Sequence, residues 1–123
     1  MLRFLRPSYG VLVAAALSTA CLLSTGTNLP RDTPTWLRHL IQDLASQPVA
    51  NPPASVTAFT YRNQTVYFLP SRCCDIPSVL YDANAVVLCA PDGGITGQGD
   101  GRCPDFFTTR GDERLIWVDP RGT

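Results

Sequence analysis

Lysine is absent from this sequence. Its cations are 10 arginines, its acids are nine aspartates and Glu113, and it has one histidine, His39. Without lysine there is no ammonium nucleophile and no Schiff-base chemistry. A Ser-His-Asp site would have to use His39, and no Gly-x-Ser-x-Gly motif supplies its nucleophile. The same scarcity argues against a histidine-ligated metal. No Cys-x-x-Cys pair is present, so the usual dithiol redox site is missing. The stretch "GITGQGDG" lacks the lysine of a P-loop and does not lead from a strand into a helix. Nor is any apolar run long enough to span a bilayer comfortably. The longest, Tyr9 to Leu23, has fifteen apolar or small residues, against about 20 for a spanning helix.

That run does fit an export signal. Arg3 and Arg6 precede it, and small residues follow, which is the pattern of a cleaved secretory signal peptide. "LSTAC" resembles a bacterial lipobox, in which Cys21 is lipidated and becomes the first mature residue. Ordinary cleavage, after Ala20 or Gly26, is the alternative. Leu22, with no aspartate beside the lipid site, fits outer-membrane sorting by analogy with Gram-negative lipoproteins. Loss of Arg3 and Arg6 leaves 8 arginines against 10 acids, a net charge of −2 from Cys21 onward. A nucleic-acid partner needs a basic surface, so none is expected. The expected partners are a membrane, through the lipid, and an envelope protein or ligand. No cofactor is expected.

The organisation is a signal peptide over 1–20, a tether over 21–32 and one small domain over 33–123. The whole chain of 123 residues has room for no more than one domain. One helix is expected after Thr33 as cap and Pro34 at the first helical position. Trp36, Leu37, Leu40, Ile41 and Leu44 then form a stripe of helical period, and Pro48 ends it. Strand patterns follow. "SVTAFTYR" places Thr57, Phe59 and Tyr61 on one face. "TVYFLP" places Tyr67 and Leu69 on one face and Val66 and Phe68 on the other. "RNQ" is the turn between them, where Asn63 tolerates a left-handed backbone. "SVLYDANAVVLCA" reads as a second hairpin turning at Asp82–Asn84, and "RLIWVD" as a last strand. The fold class is α+β: one N-terminal helix packed on a small antiparallel sheet of four or five strands, stapled by disulfides.

Apart from Cys21, the cysteines are Cys73, Cys74, Cys89 and Cys103. In an exported chain an even number reads as disulfides. Successive side chains of an extended segment point opposite ways, so Cys73 and Cys74 are expected to staple separately, one to Cys89 and one to Cys103. Which goes where stays open. A bond between the two neighbours is the disfavoured pairing. Each bridge would close a loop of roughly 15–30 residues, worth about 3 kcal/mol. Zinc held by four thiolates is the competing reading, but the spacing is not that of a zinc knuckle.

Residues 61–106, with their Cys-Cys-Asp triplet and the Cys-x-Pro-x-Gly-Gly-x-x-Gly-x-Gly-Asp-x-x-Cys loop, resemble a small family of uncharacterised bacterial exported domains. Many members look like lipoproteins, which supports the reading of Cys21. Asn63 and Ala85 stand where that family has turn glycines. The resemblance implies a fold and an address but no activity.

The loop from Cys89 to Cys103 holds five of the nine glycines. Asp92, Asp100 and Asp105 are a weak calcium set, since that ion takes six to eight oxygens. The plainer reading is that the glycines and aspartates hold turns. Asp75 with Asp82 is a candidate catalytic pair, against an Asx-type turn before Pro77. "RGD" at 110–112 is read as the turn into the last strand, and "NQT" at 63–65 is a sequon in a tight hairpin. Tyr61, Tyr67, Phe68, Tyr81, Phe106, Phe107 and Trp117 exceed what one helix-covered face needs. They either form a partner face or pack around the disulfides. The expected function is non-enzymatic: a lipid-anchored envelope module that binds or builds. The alternative is a small secreted inhibitor or ligand-binding protein that uses the Cys89–Cys103 loop, stabilised or not by calcium.

Overall fold

The computed structural model describes residues 10, 28–73 and 75–122. The signal segment apart from Gly10, the lipidation candidate Cys21, residues 22–27 of the tether, and Cys74 lie outside the described residues.

Helix α1 spans Thr35–Ser46 and buries Leu37, Ile41 and Leu44, the stripe its apolar spacing requires. Its start differs from expectation. Pro34 occupies the cap position with no side-chain capping bond, and Thr33 does not cap. The Thr33 amide closes a turn onto the Pro30 carbonyl at 3.0 Å, which turns Thr33 inward, its hydroxyl buried without a partner among the described residues. Arg38 secures the entry instead. Its guanidinium donates to the carbonyls of Thr33, Pro30 and Arg31.

The sheet has five antiparallel strands: β1 (Ser55–Tyr61), β2 (Gln64–Leu69), β3 (Val79–Tyr81), β4 (Val87–Cys89) and β5 (Gly111–Val118), in the order β4-β3-β2-β1-β5. β1 and β2 join through Arg62 and Asn63 at φ +48° and +60°. Two positive φ values make the two-residue turn whose twist matches the strands. A four-residue helix α2 (Phe106–Thr109) leads into β5, and a 3-10 turn closes the chain at Pro120–Gly122.

Alternation along β1 and β2 divides the core between the two faces. Val56, Ala58 and Tyr67 meet Leu37, Ile41 and Leu44 of α1, together with Ile116 and Trp117. Ile116 and Trp117 are neighbours in sequence yet share this side because a register shift lies between Val56/Trp117 and Thr57/Leu115. Phe59, Tyr61, Val66 and Phe68 face the other way and pack with Leu80, Cys89, Cys103 and Phe106. The sheet is therefore covered on both faces, by α1 on one and by α2 with the Cys89–Cys103 staple on the other. The expectation of a single helix-covered face is corrected: Phe106 is wholly buried and anchors a second, smaller cover.

Three polar ties fix the periphery. Arg114 forms a two-pronged bridge to Asp32 at 2.9 and 3.2 Å, joining the lead-in of α1 to β5. Asp105 accepts from the Tyr61 hydroxyl at 2.7 Å and from Arg62 at 3.1 Å, joining the start of α2 to β1. Asp119, 1% exposed, accepts from the Arg121 amide and guanidinium, while Arg121 also donates to the Gln47 carbonyl. This last tie holds the C-terminal turn to the end of α1.

Candidate functional site

The loop between β4 and α2 is built on backbone geometry. Gly93, Gly94, Gly97, Gly99 and Gly101 all have φ between +68° and +75°, where a side chain is strained. The Gly93 amide donates to the Gly97 carbonyl, Gly97 to Gly94, and Gly99 back to Gly93. The Asp100 amide donates to the Ala90 carbonyl at 3.0 Å, and a Cβ on Gly99 would overlap that same carbonyl. Single bridge pairs tie Gly93 to Pro77 and to Gln98. Ser78 completes the seam: its amide and hydroxyl donate to the Asp92 carbonyl, and the Asp92 amide donates to its hydroxyl.

The staple is Cys89–Cys103, with Cα atoms 6.1 Å apart and both residues in the second core. The expectation that Cys73 and Cys74 reach Cys89 and Cys103 is corrected. Cys73 is itself disulfide-bonded, with a partner outside the described residues. The alternation argument fails because the described residues on either side of position 74, 70–73 and 75–76, belong to no strand. They fold back through the Ile76 amide onto the Cys73 carbonyl at 2.9 Å, with Ser71 Oγ on the Ile76 carbonyl.

The three aspartates of the calcium set do not converge. Among the described residues no group of three His, Cys, Asp or Glu side chains is placed to hold an ion. Each aspartate has local work instead. Asp100 accepts the Arg102 amide at 3.0 Å, and that bond holds its carboxyl below the usual range. Asp105 is lowered chiefly by the Tyr61 hydroxyl, and burial raises Tyr61 in turn. Asp92 uses its main chain, while its Oδ1 is enclosed without a partner among the described residues. The Asp75–Asp82 pair also dissolves into turn geometry. Asp82 Oδ1 accepts from the Asn84 and Val86 amides at 2.7 and 2.9 Å, and Asp75 is an exposed turn residue.

His39 is exposed on α1, as its position opposite the apolar stripe requires. Arg110 of the RGD tripeptide lies 4.5 Å over the Phe59 ring and 5.0 Å over the Phe107 ring. Gly111 begins β5 and Asp112 takes φ +51°, so the tripeptide is the entry to the last strand. Asn63 lies exposed in the first hairpin turn. Of the surplus aromatics, Tyr61, Tyr67, Phe68, Phe106 and Trp117 are buried. Phe106 meets Phe59, Tyr61 and Phe68 at 5.3–5.5 Å between ring centres. Tyr81 stacks at a tilt on Trp36, and Phe107 remains half in solvent. Sequence reasoning missed three polar ties: Asp32–Arg114 and Arg121–Gln47 span long separations, and Asp119–Arg121 is local but follows no recognised pattern.

The loop exposes Thr96, Gln98, Asp100 and Arg102, and with them one large aliphatic side chain. Ile95, at its tip, is 92% exposed.

A family model described as a domain of unknown function (DUF6970) matches residues 42–119. The span takes in all five strands, the Cys-Cys pair and the stapled loop. No curated protein and no solved structure matches the chain.

Proposed function

The chain belongs to the DUF6970 family, and we propose that it is a non-enzymatic binding module, held at a cell-envelope membrane by a lipidated Cys21, with the Cys89–Cys103 loop as its contact surface. The observation that carries this reading is Ile95. An almost fully exposed isoleucine stands on a loop fixed by a disulfide and five left-handed glycines. A loop already ordered loses little conformational freedom on binding, so apolar contact at its tip converts to affinity with small entropic loss. The Asp100 and Asp105 carboxylates serve a turn and a tie, which supports a role in shape over one in proton transfer. The tether reading rests on "LSTAC" and on the polar segment after it. Two acyl chains suffice for stable anchoring.

A photo-crosslinking residue placed at Ile95, in a bacterium competent for lipoprotein processing, is expected to give a discrete adduct. The same residue at exposed Gln42 should not. Cys21→Ser should move the protein to the soluble fraction. Equal crosslinking at both positions overturns the contact surface, and unchanged fractionation overturns the tether. A soluble wild type that still crosslinks through residue 95 favours the secreted inhibitor.

A further inference from the structure

Seven of the eight arginines from Arg31 onward are accounted for. Arg62, Arg102, Arg114 and Arg121 pair with carboxylates. Arg38 and Arg72 donate to carbonyl oxygens, and Arg31 stands in open solvent. Arg110 is different. Its guanidinium is half-buried and held over three rings, 4.5 Å from the centre of Phe59, 5.4 Å from Phe106 and 5.0 Å from Phe107. Yet among the described residues its side chain donates no hydrogen bond and meets no carboxylate. Asp112 and Glu113, close in sequence, form no ion pair with it. A guanidinium has five N–H donors in a fixed plane. Here the plane is positioned by aromatic faces while the donors are unspent.

Exposed apolar side chains stand among polar ones, part-exposed Thr57 and Ser55 included, on the same side of the sheet. Phe107 is 42% exposed. Leu115 lies opposite Thr57, and Val118 opposite Ser55. Residues opposite one another in an antiparallel pair share a face, so both lie on the Phe59 side of the sheet. The cover formed by α2 does not reach them, and they are 58% and 40% exposed. β5 is also an edge strand, with its outer backbone groups available to an extended chain.

We propose that Arg110, Phe107, Leu115 and Val118 form a docking site for an extended segment of a partner protein, an aliphatic run that carries an acidic side chain. The carboxylate takes the unspent Arg110 donors, and the aliphatic side chains cover Leu115 and Val118. An arginine preorganised on rings suits planar, two-pronged recognition of a carboxylate. The site is independent of the Ile95 loop, so either assignment can fail alone.

The probe is the blocked peptide Ac-Asp-Leu-Val-Leu-NH2, followed by NMR on the Arg110 Nε–H signal and the β5 amides. Ac-Asn-Leu-Val-Leu-NH2 and inorganic phosphate are run alongside. The acidic peptide should shift these signals saturably, with affinity at least tenfold above that of the asparagine peptide. Arg110→Gln should abolish the difference between the two peptides. Leu115→Ser, at a position too exposed to threaten the fold, should weaken both while keeping the melting temperature of wild type. Equal binding of the two peptides to wild type, no shift at Arg110, or phosphate binding as tight as the acidic peptide overturns the proposal.

Discussion

At the scale of single residues, the backbone at Ala85 sets up a clear test. Its φ is +67°, and an L-residue there gives up roughly 1 kcal/mol against glycine. The turn around it is otherwise well satisfied. Asp82 accepts two amides through its side chain, and its own amide donates to the Val86 carbonyl at 2.9 Å. Ala85 is exposed, so its methyl adds no packing. Ala85→Gly is therefore expected to raise the melting temperature by about 4–8 °C, read by circular dichroism. No rise would mean that the extra freedom of glycine in the unfolded chain cancels the relief. Asn63 was legible in the sequence as a residue that tolerates a left-handed turn, whereas Ala85 was marked only by the resemblance, since the residues alone put the second turn at Asp82–Asn84. The partner of Asp119 was not legible. An aspartate two residues before an arginine has no pattern that foretells a buried bridge.

At the scale of elements, the stapled loop separates two costs of adding a side chain. A Cβ at Gly97 meets nothing within 4 Å, whereas one at Gly99 strikes the Ala90 carbonyl, and both glycines are left-handed. Gly97→Ala should thus lose only the conformational term, about 1 kcal/mol. Gly99→Ala should lose that plus the overlap, and with it the Asp100-to-Ala90 bond. Urea unfolding midpoints measure the contrast, and equal losses would show that the loop moves aside freely. The staple gives a second test. Peptide mapping without reduction should recover Cys89 joined to Cys103, a closure worth about 3 kcal/mol in the unfolded-chain account. A peptide joining Cys73 to Cys89 would restore the cross-stapled arrangement.

Elements with a period could be read in advance. The stripe of α1 predicted the face it buries, and the alternation of β1 and β2 sorted Phe59 and Tyr61, and Val66 and Phe68 against Tyr67, onto their two sides, both of which are covered. α2 could not be read this way, because Phe106–Thr109 is shorter than two turns and shows no period. That omission hid the second cover of the sheet. It also left Phe106 looking like a surplus aromatic, although it is the centre of a cluster.

At the scale of the whole molecule, the carboxylates that tie outlying segments to the sheet share one electrostatic sign. Asp32 is held below its ordinary value of 3.8 by its bond from Arg114, Asp105 by the Tyr61 hydroxyl and Asp119 by Arg121. A carboxyl that is more acidic folded than unfolded binds fewer protons in the native state. Its stabilisation is present above the unfolded value and is lost as pH falls through the native one. Tyr61 and Tyr67 are raised above 10.0, chiefly by burial, so their contribution is present below about pH 10 and lost as pH rises past it. Stability set by these groups is therefore flat between about pH 5 and 9 and falls away on either side. The acid arm does not weigh the three ties equally. Asp32 and Asp105 are well exposed, with side chains 64% and 44% accessible, and solvent screens such pairs. The Asp119 side chain is 2% accessible, and protonating it removes the charge that binds Arg121 and takes up one of the two accepting oxygens, loosening the arginine that also holds Gln47. Asp119→Asn should accordingly lower the urea midpoint at pH 7 and flatten its decline below pH 4. Asp32→Asn should leave both nearly unchanged. An acid arm of undiminished steepness in Asp119→Asn would place the acid-sensitive tie elsewhere and leave the C-terminal turn as a passive cover.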